Sequence, residues 1–390
     1  MFDFSRPIDR RGTGSLKWNQ PDPAVLCMGT ADLDFASAPA IRQALLDLAD
    51  SGMYGYYAKP EAYYRAVTGW YGRRFGCHIE PQWVLNAPGV WVATRMCIDT
   101  YSQPGDCVLV QAPHFSPIAR IIDCAGRRMV TNPMVLKDGH YTIDFADFEE
   151  KLRQYRPKIY FMVNPHNPTG RAFTAGELQR LVELCDAYGA VLVADEVHSN
   201  VLFDGHAHHP ILGLGQRAQK IAVLITSASK AYNIMGLTYA TVLIADEGLR
   251  EQFAAAMGGY SMDFATNIFS VAAMTAAYSP ACDQWLDELG AYLAGNLDFL
   301  CQYIAAHIPA LQVIRPESSY LVWIDCRQLG LPPEELRALF LERAKVGLTW
   351  GEDYGPEGVG FERINIGCAR ATLEEALARI ERAVKALGAQ

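Results

Sequence analysis

No apolar run in this 390-residue chain reaches the roughly 20 residues that a membrane span needs, which excludes an ordinary transmembrane helix. Basic residues are in the minority: 34 Lys and Arg against 43 Asp and Glu give a net charge of -9 and a pI near 5.5, which argues against a nucleic-acid partner. The ten cysteines include no C-x-x-C pair and are scattered singly, so reduced and mostly buried thiols are expected rather than a disulfide framework. Internal repeats, low-complexity tracts and long Gly/Ser/Pro linkers are absent, so any two domains must pack together and share elements. The start, "MFDFSRPIDRRG", carries charges where a secretory signal would carry its apolar stretch, and a cytoplasmic protein is expected.

What is present is the composition of an enzyme-sized globular protein, half apolar and one-fifth charged. The length calls for one large or two unequal domains. Residues 1–35 read as an irregular arm. Helical periodicity follows at 40–49 and 61–75, the second ending at Gly76, and again at 90–101. From there short apolar strands alternate with helices: 107–111, 127–131, 158–163, 190–195, 221–225 and 238–245 read as strands. That alternation predicts an α/β fold with a mostly parallel sheet covered on both faces. After a mainly helical stretch to about residue 308, strands at 318–326 and 361–367 and helices at 333–344 and 372–387 suggest a smaller α+β domain.

One lysine stands out. "TSASKAYNIMG" (226–236) sets Lys230 among small and hydroxyl-bearing residues directly after the apolar run "IAVLI". In α/β proteins ligands gather at strand C-termini. A lysine desolvated there has a depressed pKa and serves as a Schiff-base nucleophile; the plain alternative is a surface lysine on a turn. Four further stretches bear on the choice. "VNPHNPTG" (163–170) presents the Asn167 amide between two prolines. "VADEVHSN" (193–200) ends an apolar strand on Asp195, a carboxylate that needs a cationic partner such as a protonated pyridine nitrogen. "NAPGVWVAT" (86–94) opens a helix at Gly89 and Val90, where free N–H groups suit a phosphate. "INIGCAR" (364–370) places Arg370 after a strand, as a surface arginine or a bidentate carboxylate clamp.

Taken in order and spacing, these motifs resemble the fold-type I pyridoxal-phosphate enzymes of the aspartate aminotransferase superfamily. Within it the chain is similar to the MalY/PatB-type cystathionine β-lyases, or C–S lyases. "FDFSRPIDRRGTGSLKW" (2–18), "TADLDFASAPAI" (30–41), "YGYY" (54–57), "DGHAHHP" (204–210), "SSYLVWID" (318–325) and "YGPEGVGFERINIGCAR" (354–370) carry the likeness end to end. The resemblance implies a large domain at 46–284 with a mostly parallel seven-stranded sheet, and a small α+β domain at 285–390 joined by the arm at 1–45. It implies pyridoxal 5′-phosphate as cofactor, a small amino-acid substrate, and α,β-elimination to a thiol, pyruvate and ammonia.

It also implies roles. Lys230 would hold the cofactor and move protons at Cα, Asp195 would pair with the pyridine nitrogen, and Asn167 with His198 would face the ring's O3′. Ser227, with the backbone at Gly89 and Val90, would face the phosphate. Arg370 would hold the substrate carboxylate, and Tyr56 would reach the neighbouring subunit's phosphate, which requires a homodimer. Three departures stand out: Phe115 where the family stacks a tyrosine, "GCAR" for Gly-Cys-Pro-Arg, and Asn19 after Trp18. Phe115 keeps the stacking and loses the hydroxyl. Two other readings stand beside the lyase, an aminotransferase of the same fold and a regulatory binding partner of transcription activators. His206, His208 and His209 lack a fourth ligand, so no metal is expected.

Overall fold

Strands made almost wholly of apolar residues pair side by side because helices cover both of their faces. The structure, a computed structural model, describes residues 2–262 and 266–387, and seven such strands form one sheet in it. Met1, 263–265 and 388–390, which belong by sequence to the arm, the large domain and the small domain, lie outside the described residues. Across the sheet the order is Val84–Ala87, Ala240–Ile244, Ala222–Thr226, Val191–Asp195, Ile159–Val163, Cys107–Ala112 and Arg128–Pro133. Ala240–Ile244 runs antiparallel to both its neighbours and every other pairing is parallel. Periodicity alone yields six of these strands. The seventh, Val84–Ala87, has only four residues before the Gly89 turn, too few to show a pattern.

The period of two along each strand divides the interior. Val223 and Ile225 enter one apolar cluster with Val193 and Phe161, while Ala222 and Leu224 enter the other with Leu192 and Met162. Helix Val90–Tyr101 packs on the first of these faces. Helix Ala175–Tyr188 packs on the second, started by a reciprocal capping box between Thr174 and Glu177. Of the ten free cysteines eight are buried, where they behave as small apolar groups.

A second, antiparallel sheet orders Gln312–Ile314, Leu321–Asp325, Phe361–Asn365 and Thr349–Trp350. The N-terminal stretch reaches this region: Leu26–Cys27 pairs with Val346–Gly347, and Asn365 donates to the carbonyls of Thr30 and Asp32. Residues 29–35 therefore lie between the small sheet and the strand ends of the large one. Asn233, the left-handed cap after Lys230's helical turn, fastens the same segment through the carbonyls of Leu33 and Phe35. Among the described residues no helix is long and apolar enough to cross a membrane.

Candidate active site

Lys230 lies in a single helical turn, Ser229–Tyr232, four residues beyond the end of strand Ala222–Thr226, with Ser227 and Ala228 between strand and turn. Its Nζ donates to the carbonyl of Ala31 at 2.9 Å, and the Tyr320 hydroxyl donates to that carbonyl and to Lys230's own. The residue keeps some solvent access, but protein surrounds its ammonium. Burial, with the Arg363 charge second, brings its pKa down to about 8, against opposing pulls from Asp32 and Asp195. These are the surroundings of a buried lysine rather than a surface one.

Asp195 ends strand Val191–Asp195 and is 4% exposed. Its Oδ1 accepts from the Val197 amide at 3.1 Å, and among the described residues no cationic side chain reaches ion-pair distance of it. Burial pushes its pKa up to about 7, partly offset by the Val197 bond and the Lys230 charge. A buried carboxylate so poorly compensated fits a protonated ring nitrogen, and that is the first test that pyridoxal phosphate passes here. The second is at helix Val90–Tyr101, where N-cap Gly89 has φ 116° and open space where a Cβ would stand, so its first-turn N–H groups face no side chain of their own cap.

Asn167 stands on the loop after strand Ile159–Val163. The loop is bolted down at Gly170, whose carbonyl accepts from the amides of Glu317 and Ser318. Gly170 has φ 72° and a Cβ there would come within 2.3 Å of Pro316, so only glycine fits. His198 is buried beside Lys230 with Nδ1 at 3.2 Å from the Ser319 hydroxyl, and burial, then the Lys230 and Arg363 charges, lower its pKa to about 3. Phe115 is half-buried between Trp91 and Tyr354, with ring centroids 5.8 and 5.7 Å away.

Two expectations need correction. Arg370 is not beside these groups. It opens helix Arg370–Leu387, two residues earlier than periodicity suggests, and that start turns it onto helix Asp283–His307: its Nε donates to Asn296 and its guanidinium lies 4.6 Å over the Phe299 ring. The arginine that meets these groups is Arg363, on strand Phe361–Asn365, whose Nη1 donates to Asn167 Oδ1 at 2.9 Å and whose charge acts on Lys230. Arg363 is 2% exposed, its Nε has no partner, and among the described residues no carboxylate lies within ion-pair distance of it. Ser227 does not present its hydroxyl outward either. Fully buried, it donates to the Tyr239 carbonyl at 2.8 Å and accepts from the Ser229 amide, which uses its one hydrogen.

Tyr56 is 92% exposed on the loop between helices Pro39–Ser51 and Glu61–Phe75, in company with exposed Met53 and Tyr54. His208 has its ring 2.8 Å from the buried Glu196 carboxylate and so belongs to an internal pair behind Asp195. Sequence reasoning missed Arg363, Tyr320 and the Ala31 carbonyl. For Arg363 a signal was present: "FERIN" is flanked by "GVG" and "IGCA" and holds a cation that must meet something polar if the strand is buried.

Residues 23–380 match the family described as aminotransferase class I and II. The chain is 36% identical over 388 residues to cystathionine beta-lyase PatB of Bacillus subtilis, covering 98% of this chain and all of PatB. To protein MalY of Escherichia coli it is 32% identical, covering 99% of this chain and all of MalY. Cystalysin from Treponema denticola, whose crystal structure contains a pyridoxal 5′-phosphate cofactor, superposes with a TM-score of 0.95 at 27% identity, over 99% of this chain and 100% of that one.

Proposed function

The chain belongs to the aminotransferase class I and II family, and on that premise we propose that it is a pyridoxal-phosphate-dependent carbon–sulfur lyase. Its substrates are cystathionine or related cysteine S-conjugates, cleaved to a thiol, pyruvate and ammonia. The observation that carries this reading is the linkage of Lys230 to Asp195 and to the uncompensated Arg363 through their charges, and of Arg363 to Asn167 through a hydrogen bond, on a chain similar along its whole length to cystathionine beta-lyases.

Pyridoxal phosphate, when bound, supplies an electron sink conjugated to the substrate's Cα. Asp195 would offer its carboxylate to the ring nitrogen and so favour a proton there. Asn167 and His198 would hold the ring's oxygen, and Phe115 would provide an apolar face. With Ser227 committed inside its turn, the first-turn N–H groups at Gly89 and Val90, together with Ser229, would be the donors for the phosphate. Arg363, rather than Arg370, grips the substrate carboxylate, replacing a missing counter-charge with the ligand's own. Burial brings the Lys230 pKa down to about 8, which favours a neutral amine able to take the Cα proton. Loss of that proton lets the Cβ–S bond break, and the sulfur departs as a thiolate.

The exposed aromatic loop around Tyr56 supports a homodimer in which Tyr56 serves the neighbouring site. The substrate is a small molecule, and the absence of any long apolar helix among the described residues is consistent with a cytoplasmic enzyme. The test is direct. Purified protein supplied with pyridoxal phosphate and an S-substituted cysteine, without any keto acid, should release thiol and pyruvate in equal amounts. Borohydride reduction before digestion should fix the cofactor on the peptide carrying Lys230. Amino transfer to an added keto acid, with no pyruvate in its absence, would return the chain to the aminotransferase reading.

A further inference from the structure

The Ala31 carbonyl that receives the Lys230 ammonium belongs to a segment anchored in two ways. Its backbone is held from the body of the protein. The Asp32 amide donates to the Thr30 carbonyl at 2.9 Å, a tight turn with Ala31 at its centre. Asn365 donates to the carbonyls of Thr30 and Asp32, and Asn233 to those of Leu33 and Phe35. Its two acidic side chains are held by the N-terminal arm instead. Arg10 reaches Asp32 at 2.9 Å and Asp34 at 3.2 Å. Lys17, 1% exposed, reaches Asp34 at 2.8 Å, and the Trp18 ring N–H donates to the same carboxylate at 2.8 Å.

The two anchors control different things. The asparagines fix where the Ala31 carbonyl stands, and the arm fixes where the Asp32 charge stands. Several groups face Lys230 beside Asp32: Arg363 from strand Phe361–Asn365, Asp195 from strand Val191–Asp195, and the nearby His198 and Tyr320. Burial and Arg363 drive the amine to shed its proton, and Asp32 is the foremost pull against them, ahead of Asp195. Among the described residues Arg10 is the one cationic side chain at ion-pair distance of Asp32. An amine that takes a proton from Cα must also be able to hold it, so this balance bears on the chemistry.

We propose that Asp32 and Arg10 are positioning residues for Lys230. The Asp32 carboxylate favours the ammonium, and Arg10, by pairing with that carboxylate, restrains its pull. The N-terminal arm thereby sets the pH range in which Lys230 exchanges its proton. This rests on the lyase reading only in taking Lys230 as the reacting amine.

Opposed shifts separate this role from a merely structural one. Two titrations report how tightly the Lys230 nitrogen holds a proton: visible absorption of the loaded enzyme, and trace labelling of Lys230 by acetic anhydride in cofactor-free protein. Asp32→Asn should lower both midpoints by about half a pH unit, a modest shift because the side chains of the pair are 24% and 16% exposed and water screens them. Arg10→Met should raise both by a similar amount, since it leaves the Asp32 charge to act on Lys230 alone. Arg10→Lys keeps the cation and should stay near the wild type. Arg11→Met removes an equal charge from the exposed pair with Asp9 and should move neither midpoint. The acid limb of kcat/KM should follow the same order. Midpoints unchanged in Asp32→Asn, or moved the same way in Asp32→Asn and Arg10→Met, overturn the proposal, as does an equal shift in Arg11→Met. If Arg10→Met does not fold, Asp32→Asn decides alone, because its size is unchanged and Asn365 still holds its backbone; a midpoint at or above that of the wild type then overturns the proposal. The labelling needs no turnover, so amino transfer in place of elimination would refute the lyase reading and leave this proposal standing.

Discussion

Arg171 and Arg363 are both buried arginines that serve the Asn167 loop, and they differ in what neutralises them. Arg171 is satisfied on every side. Its Nε donates to Glu317, its Nη2 to both oxygens of Glu177, and its Nη1 to the Tyr141 carbonyl and the His140 ring. Arg363 donates to Asn167, the Gly29 carbonyl and the Thr349 hydroxyl, all of them uncharged, and its Nε has nothing. A buried cation with two carboxylates binds a loop in place. A buried cation with none is held ready for an anion from outside, at a standing cost to the empty protein.

If that distinction holds, removing Arg171 should damage the fold and removing Arg363 the chemistry. Arg171→Ala leaves Glu177 and Glu317 without their cation and should destabilise the protein by about 3–5 kcal/mol, visible as a lower midpoint in urea unfolding. Arg363→Ala should lower kcat/KM by about 2–5 kcal/mol, the range for truncating one member of a buried charge pair, while the unfolding midpoint holds or rises. Arg370→Ala is the control within that experiment and should stay within about threefold of wild type in kcat/KM. A ranking in which Arg370 exceeds Arg363 would move the carboxylate clamp back to the helix.

Lys230 carries the comparison into pH. Its folded pKa of about 8 lies below the unfolded 10.5, so between those values the unfolded chain holds the extra proton. Stability of the cofactor-free protein should therefore rise with pH across that window, and the penalty should be fully present below pH 8. Lys230→Met should stabilise the cofactor-free protein at pH 7 by on the order of 2–3 kcal/mol, allowing for the residue's partial exposure, and the gain should fade towards pH 10.5. A constant difference across that range would show that the ammonium is not desolvated. Apart from the Arg370 control, the smallest effect is expected at Tyr56. Tyr56→Phe should weaken cofactor retention by about 1 kcal/mol, the scale of one hydrogen bond, measured as cofactor loss on dilution. Mixed dimers of Tyr56→Phe and Lys230→Ala subunits should recover one native site, and no recovery would keep Tyr56 out of the neighbour's site.

Much of this was legible in the chain because it is local. Lys230, Asp195 and Asn167 each follow an apolar run of about five residues, and a parallel sheet brings the ends of such runs to one edge. Gly76 marks a helix end through bonds made within a few residues. The strand Val84–Ala87 was not legible, since its four residues gain their place from pairing with Ala240–Ile244 more than 150 positions away. The same holds for the Ala31 carbonyl, which meets Lys230 only because Asn233 and Asn365 tie the arm down.

The two arginines of "FERINIGCAR" show where the division falls. By itself the sequence determined that an arginine follows or lies within a late strand and that a lysine, an aspartate and an asparagine close earlier ones. These facts depend on apolar runs and turn residues, whose preferences act over a few bonds. Which arginine enters the pocket was decided by the tertiary structure. The pairing of Phe361–Asn365 with Leu321–Asp325 and Thr349–Trp350 sets the face on which Arg363 emerges, and the start of the last helix at Arg370 turns that side chain towards Asn296. Strand register and helix phase come from contacts between distant segments, and a change of one residue in either would exchange what faces the pocket and what faces away.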